Sequence, residues 1–294
     1  MTTTPTLRER MRAHLEAAGP ALGEARPTVV ALLRDRLGRG GGFRGRGKRE
    51  DLYYTLFGLE GLLALGESAP FRTSVYLESF TPAKLDLIHL ACLARAWTDL
   101  GGCAPGVCDA IIAAVERHRA SDGGYNEDAS ASRASAYGCY LAYAVYEDLG
   151  RPPPELERMI EALYAARSED GAYANQPGQE YGLTAVTAGV ITLRRHLGLD
   201  VDPALTDWLL QRLHRNGGFM ASPLVPLPDL LSTATALTAL SFTPERLEPV
   251  RQPCLRFLDA LWDERGGFRP HAFEKAVDTE YTWYGLLCLG ILTG

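Results

Sequence analysis

Two kinds of apolar segment alternate along the chain. Stretches such as "DLYYTLFGLEGLLALGE", "DLLSTATALTALSF" and "VDTEYTWYGLLCLGILTG" carry almost no charge after their opening residues, and a helix that is apolar all round is buried on every side. Stretches such as "PELERMIEALYAARS", "DPALTDWLLQRLHRN" and "RLEPVRQPCLRFLDALWDE" mix charged and apolar positions, which predicts helices with one face to the core and the other to water. No segment sustains the period-two alternation of a half-buried strand between turn signals, so strands are essentially absent from the prediction.

A glycine-aromatic signal separates each outer stretch from the inner one that follows. It ends at Phe43, Tyr125, Tyr173, Phe219 and Phe268, at intervals of 82, 48, 46 and 49 residues. The first interval is nearly two periods, and "TPAKLDLIHLACLARAW" lies where a repeat that lost its glycines belongs. The inner helices are expected to begin near Asp51, Asp86, Arg133, Glu180, Asp229 and Asp278. An acid there can cap the free amides and complement the helix dipole, the role expected of Asp51, Asp86, Glu180 and Asp229. With "ARPTVVALLRDRL" as the first outer helix, six outer-inner pairs result. An open stack would need polar capping repeats to cover its ends, and none is present. The prediction is an all-α (α/α)6 toroid, a double ring of six inner and six outer helices. It forms a single domain, 1–294, with residues 1–26 as an N-terminal extension packing on the ring.

The "GGF…D…T…L" repeat resembles that of the protein prenyltransferase β subunits and the squalene or terpenoid cyclases, from about residue 27 to the end. The resemblance implies their α/α toroid. "DLYYTLFGLEGLLALGE" is similar to the segment carrying the zinc-binding histidine of protein geranylgeranyltransferase β subunits, and "VDTEYTWYGLLCL" to their Asp-x-Cys zinc segment. Tyr54 stands where the histidine is expected and Glu280 where the cysteine is; Asp278 alone matches a zinc ligand. Zinc is therefore not expected. A set of Asp278, Glu280 and Tyr54 is a harder oxygen site that could hold magnesium or no metal. His89 occupies the position equivalent to Tyr54 in the neighbouring repeat. The protonating Asp-x-Asp-Asp-Thr-Ala segment of the cyclases corresponds to "DLLSTA", from Asp229 to Ala234, with leucine and serine at the later two acid positions. Glu280, placed two residues into an inner helix, is the replacement acid, since a carboxyl in an apolar cavity gains affinity for its proton. The competing reading is a glutamate hydrogen-bonded at a helix N-terminus.

Charge changes this picture locally. The net charge of −6 argues against whole-protein attraction to nucleic acid or anionic membrane. Yet Arg44, Arg46, Lys48 and Arg49 cluster just before the inner helix at Asp51, where helix amides favour anions. The cluster reads as a diphosphate clamp, in line with the arginine and lysine that the prenyltransferases carry in the matching loop; the alternatives are a solvated loop or an RNA-binding arginine-glycine segment. Ring closure would bring Arg269, His271 and Lys275 to the same rim. Tyr53 and Tyr281 belong to an aromatic set near the helix starts, either core or the lining for a prenyl chain. Glu60 and Arg95 each fall nine residues after the leading acid of their repeats, so they should meet at equal depth as a pair.

The six cysteines read as small buried residues, and Cys103 and Cys108 lack the second pair that a zinc site needs. Charges fill the N-terminal stretch where a secretory signal needs an apolar core, and no run reaches the ~18 apolar residues of a membrane span. The protein is read as cytoplasmic. Nucleotide-binding fingerprints, phosphate loops and serine-elbow sequences are missing. The sequence thus points to an isoprenoid-handling enzyme that binds a prenyl diphosphate or polyprenyl substrate in a central apolar cavity and performs prenyl transfer or cyclisation without the usual zinc. The alternative is a non-catalytic lipid-binding or scaffold protein that keeps the toroid. The expected partner is an isoprenoid or other amphiphilic small molecule rather than nucleic acid; a partner subunit is left open.

Overall fold

The structure, a computed structural model, describes residues 4–294. The predicted extension, 1–26, is thus described from residue 4 onward. Thirteen α-helices account for the architecture among the described residues. The inner ring consists of α3 (Leu52–Ala64), α5 (Leu87–Asp99), α7 (Ala136–Asp148), α9 (Thr184–His196), α11 (Leu230–Leu240) and α13 (Thr279–Thr293). The outer ring consists of α2 (Arg26–Arg36), α4 (Thr73–Glu78), α6 (Pro105–Glu116), α8 (Leu156–Tyr164), α10 (Pro203–Leu210) and α12 (Pro244–Leu261). Each inner helix packs on the next, and α13 returns to pack on α3. The chain is an all-α toroid.

The glycine turns join neighbouring repeats. Gly266 adopts φ +98, a left-handed conformation that favours glycine, and a Cβ there would lie 2.4 Å from the Thr28 carbonyl oxygen of α2. The last repeat is thus locked onto the first through a contact that tolerates no side chain. The aromatic after each turn is driven inward: Phe43, Tyr125, Phe219 and Phe268 are all buried.

Asp51, Asp86, Asp229 and Asp278 cap their inner helices, accepting from the amides of Tyr53, His89, Ser232 and Tyr281 at 2.7–2.9 Å. The starts expected at Arg133 and Glu180 are displaced. The caps there are Ser135, which accepts from Gly138 N at 2.9 Å, and Leu183, whose side chain caps nothing. Both loops run longer because their residues bond across the turn: Arg133 O accepts from Asn126, and Glu180 O from the Asp170 amide. Neighbouring repeats supply the missing caps, with Ala136 N donating to Asn175 O and Thr184 N to Ala221 O.

Three antiparallel pairs of two-residue strands also occur. They are β1 (Phe43–Arg44) with β2 (Glu50–Asp51), β3 (Phe219–Met220) with β4 (Pro228–Asp229), and β5 (Trp262–Asp263) with β6 (Gly267–Phe268). Two residues are too few to leave an alternating signature. The first two pairs set the buried aromatic opposite the capping aspartate, Phe43 facing Asp51 and Phe219 facing Asp229.

Two cysteines depart from the core reading. Cys103 and Cys108 form a disulfide across the turn into α6, where the helix start brings their Cα atoms to 6.0 Å. Cys92, Cys139, Cys254 and Cys288 are free and buried. No helix among the described residues is long and apolar enough to cross a membrane.

The N-terminal extension forms α1 (Leu7–Leu22), which lies against α13, α3 and α7. Its approach to α13 is close: a Cβ on Gly290 would lie 1.6 Å from the His14 carbonyl oxygen. Its N-terminal end is fixed where α5 and α7 end. Leu7 N donates to Glu147 at 2.7 Å, and Arg8 pairs with Asp99 at 2.9 Å. The extension therefore forms a floor under the ring.

Candidate functional site

The inner ring encloses a cavity of about 530 Å³, a size typical of small-molecule sites (~300–1,000 Å³). Tyr137 and Leu183, at the starts of α7 and α9, line it and remain 38% and 40% exposed, so this end opens to solvent. Met11 of α1 lines the opposite end. Between them the wall is mostly apolar and aromatic, with Leu56, Phe57, Ile88, Val186, Trp283, Tyr284 and Leu287 prominent. Its interlocked rings include Tyr53 edge-on to Phe57 at 4.9 Å and Phe57 edge-on to Trp283 at 5.4 Å.

Glu280 is the acid near the mouth that faces this space. It sits in the first turn of α13, because Asp278 caps that helix and the following residues turn inward. Tyr53 donates its hydroxyl to Glu280 Oε1 at 2.8 Å. Burial raises the affinity of the Glu280 carboxyl for its proton, and the Tyr53 hydrogen bond only partly opposes this. Burial also drives the Tyr53 phenol far above its ordinary range, so it stays neutral and donates. A carboxyl pushed toward its neutral form and held through one oxygen at the edge of a mostly apolar cavity can deliver a proton to a bound ligand.

Asp278, two residues before Glu280, and Tyr54, brought close to both by ring closure, do not line the cavity. Asp278, 1% exposed, gives Oδ1 to the Tyr281 amide and Oδ2 to Arg46 Nε at 2.8 Å. Tyr54 packs its ring on Gly45. A guanidinium thus stands beside the one carboxylate that matches a zinc ligand. No group of three or more His, Cys, Asp or Glu among the described residues could hold a metal ion. The residues present do not fit the zinc of the resembling enzymes, and both Asp278 oxygens are already engaged, one by the Tyr281 amide and one by Arg46.

The basic loop divides in the same way. Arg46 bridges Asp278 and Glu274, tying the first repeat to the last. Arg44 donates to the Arg36 and Asp35 carbonyls at the end of α2. Lys48 and Arg49 are exposed and make no side-chain bond among the described residues. On the last loop, Arg269 caps the end of α12 through the Ala260 and Leu261 carbonyls, His271 accepts from Phe273 N at 3.3 Å, and Lys275 is exposed. His89 bonds its own cap Asp86 at 2.8 Å. Tyr281 lies under Arg46, 5.9 Å from guanidinium carbon to ring centre.

At the floor, Arg95 grips Glu60 through Nε at 2.5 Å and Nη2 at 3.0 Å, and Trp283 Nε1 donates to Glu60 at 2.7 Å. The equal depth of these two charges on neighbouring helices was legible in the spacing. Asp148, a cavity-lining acid at the end of α7, was not singled out. In "YAVYEDLG" it looks like an ordinary polar helix end. Nothing in that stretch signals that α1 will cover it.

The model of the prenyltransferase alpha-alpha toroid domain matches residues 32–92, 87–212 and 193–294. The chain belongs to this family. No curated protein matches this toroid protein in sequence. Among solved structures it is similar to a type II terpene cyclase from Scytonema in complex with its product, merosterolic acid A. That likeness has a TM-score of 0.65 and 13% identity, over 94% of this chain and 97% of that one. It is also similar to protein geranylgeranyltransferase-I of Candida albicans complexed with GGPP, with a TM-score of 0.52 and 15% identity over 82% and 67% of the two chains. An α-1,6-mannanase of Salegentibacter sp. in complex with α-1,6-mannotriose reaches a TM-score of 0.64 at 14% identity, over 92% and 98%. At these identities the likeness is one of fold, and the toroid carries unrelated chemistries.

Proposed function

We propose that this toroid protein is an enzyme that takes a polyprenyl or prenyl-bearing amphiphile into its central cavity and starts a cyclisation by proton transfer from Glu280. The carrying observation is that the acid lining the open end of a mostly apolar cavity is half-buried, pushed toward its neutral form and oriented by a neutral phenol. In this reading Glu280 gives its proton to an alkene carbon. The alkene electron pair forms the new C–H bond, and the next double bond closes on the resulting cation. Phe57, Trp283 and Tyr284 line the path and offer ring faces to positive charge. Loss of a proton from the cyclised cation ends the sequence and restores the balance.

Other chemistries fit less well. A zinc-activated thiol transfer lacks its ligands. A sugar in this cavity would leave most hydroxyls facing hydrocarbon, which is costly. An anionic head would meet Lys48, Arg49 and Lys275, the cations of the first and last loops that make no side-chain bond among the described residues, while its chain passes Glu280. A cytoplasmic location belongs to the same proposal.

The test is incubation of the purified protein with geranylgeranyl diphosphate and with a geranylgeranyl-substituted phenol, following cyclised product by mass spectrometry and diphosphate release in parallel. Cyclised product that disappears in Glu280→Gln supports the proposal. Diphosphate release without cyclisation favours transfer. Saturable binding without turnover favours the non-catalytic carrier, and no binding of either compound removes the isoprenoid reading.

A further inference from the structure

The end of the cavity opposite Glu280 is not hydrocarbon. Asp148 and Arg95 both line it, beside Met11 of α1. The Asp148 side chain is 4% exposed, yet its carboxylate accepts no hydrogen bond among the described residues; its charged contact is Arg8 Nε at 3.5 Å. Arg8 commits Nη1 to Asp99 at 2.9 Å, and its Nε completes no hydrogen bond. Arg95 spends Nε and Nη2 on Glu60, whereas Nη1 meets only the Met11 sulfur at 3.8 Å. A buried carboxylate and a guanidinium edge left under-bonded at one wall of a cavity are expensive unless something entering that cavity satisfies them.

From this geometry we infer that the floor is a subsite for a hydroxyl at the far end of the bound chain, one that accepts from Arg95 Nη1 and donates to Asp148. The alternatives match less well. An alkyl terminus would leave both groups unpaired, a carboxylate would face Asp148, and an ammonium would face Arg95. The inference rests on the cavity being the binding site, as in the proposed function, but not on the chain being isoprenoid. It narrows the substrate class to amphiphiles functionalised at both ends.

The experiment is calorimetric titration of the full-length protein with dodecanol and with dodecane-1,12-diol, at a pH above about 8 where Asp148 is ionised, in native protein and in Asp148→Leu. In native protein the diol is expected to bind at least about tenfold more tightly than the monoalcohol. In Asp148→Leu that ratio should fall to near one, with dodecanol affinity held or improved. Asp148→Asn keeps the volume and loses the charge; it should bring the ratio part-way down, so the inference stays testable if the leucine variant fails to fold. Equal binding of the two alcohols by native protein overturns the hydroxyl subsite and leaves the cavity reading standing, and so does a diol preference that survives both substitutions. Binding of neither alcohol overturns both.

Discussion

Gly189 provides a way to close the cavity without damaging the ring. It lies within α9 and lines the cavity, and a Cβ built there meets only Tyr140 Cδ2, at 3.8 Å, an ordinary contact. Glycine inside a helix costs about 1 kcal/mol relative to alanine. Gly189→Ala should therefore stabilise the protein by about that amount, raising Tm by roughly 2 °C in a chain of this size. Gly189→Phe adds a ring that must enter the cavity, because the helix presents that position to it. Burying a phenylalanine contributes about 1.5–3 kcal/mol, so this variant is expected to melt no lower than native protein. It should bind geranylgeranyl diphosphate at least about tenfold more weakly, since a ligand can no longer fill the space the ring has taken. Thermal melts and equilibrium binding with the labelled diphosphate measure the two effects. A Gly189→Phe protein that melts normally and binds with native affinity would show that ligand does not enter the central cavity, and the functional proposal would fall with it.

Four further outcomes follow from named contacts. Glu280→Gln keeps the Tyr53 contact and removes the acid, so turnover should drop about 10²–10⁴-fold with little change in binding; native activity should also decline as pH rises through the raised pKa of Glu280, which a flat pH profile would contradict. Arg46→Ala strips Asp278 of its counter-ion and should cost about 1.5–3 kcal/mol in urea unfolding, with Arg46→Lys restoring part of it. Glu60→Leu removes the carboxylate that Arg95 is hydrogen-bonded to and should cost up to about 3–5 kcal/mol, while Glu60→Leu with Arg95→Met recovers part of that in a double-mutant cycle. Burial pushes the Asp148 carboxyl up to about 7 from 3.8, so between about pH 4 and pH 7 the folded state keeps a proton that the unfolded chain has released; stability should fall as pH rises through that window, by a few kcal/mol at most, and Asp148→Asn should flatten the curve.

The ring was legible because its physics repeats. Five glycine-aromatic signals in register and the alternation of uncharged with amphipathic segments are enough to order the helices, and the missing polar caps are enough to close the ring. Helix starts were legible only where an aspartate serves as cap. In the third and fourth repeats the capping work passes to Ser135 and to carbonyls of the next repeat, Asn175 O and Ala221 O, so the acidic or charged residues at Glu180 and Arg133 misplace the starts by two or three positions. The Cys103–Cys108 link escaped for a related reason: its geometry depends on where α6 begins within "GGCAPGVC".

The site was legible only where a residue's depth follows from its offset within a repeat. That rule brings Glu280 to the cavity and Glu60 to Arg95. It fails for the cations, because a sequence shows a charge but not what the charge is already holding. Arg46 and Arg44 look like a clamp for an anion, yet one fastens the closing seam to Asp278 and the other ties down the end of α2. The floor is out of reach for a different reason. It exists only because α1, outside the repeat, crosses the end of the ring and brings Met11 and Arg8 to residues more than eighty positions away. In the proposed reading, a closed floor bounds the length of chain the cavity would take, and an under-bonded carboxylate on that floor bounds what the end of the chain would be. Selectivity in this toroid should therefore respond more to substitutions at Asp148 and along α1 than to those in the basic loop at the mouth.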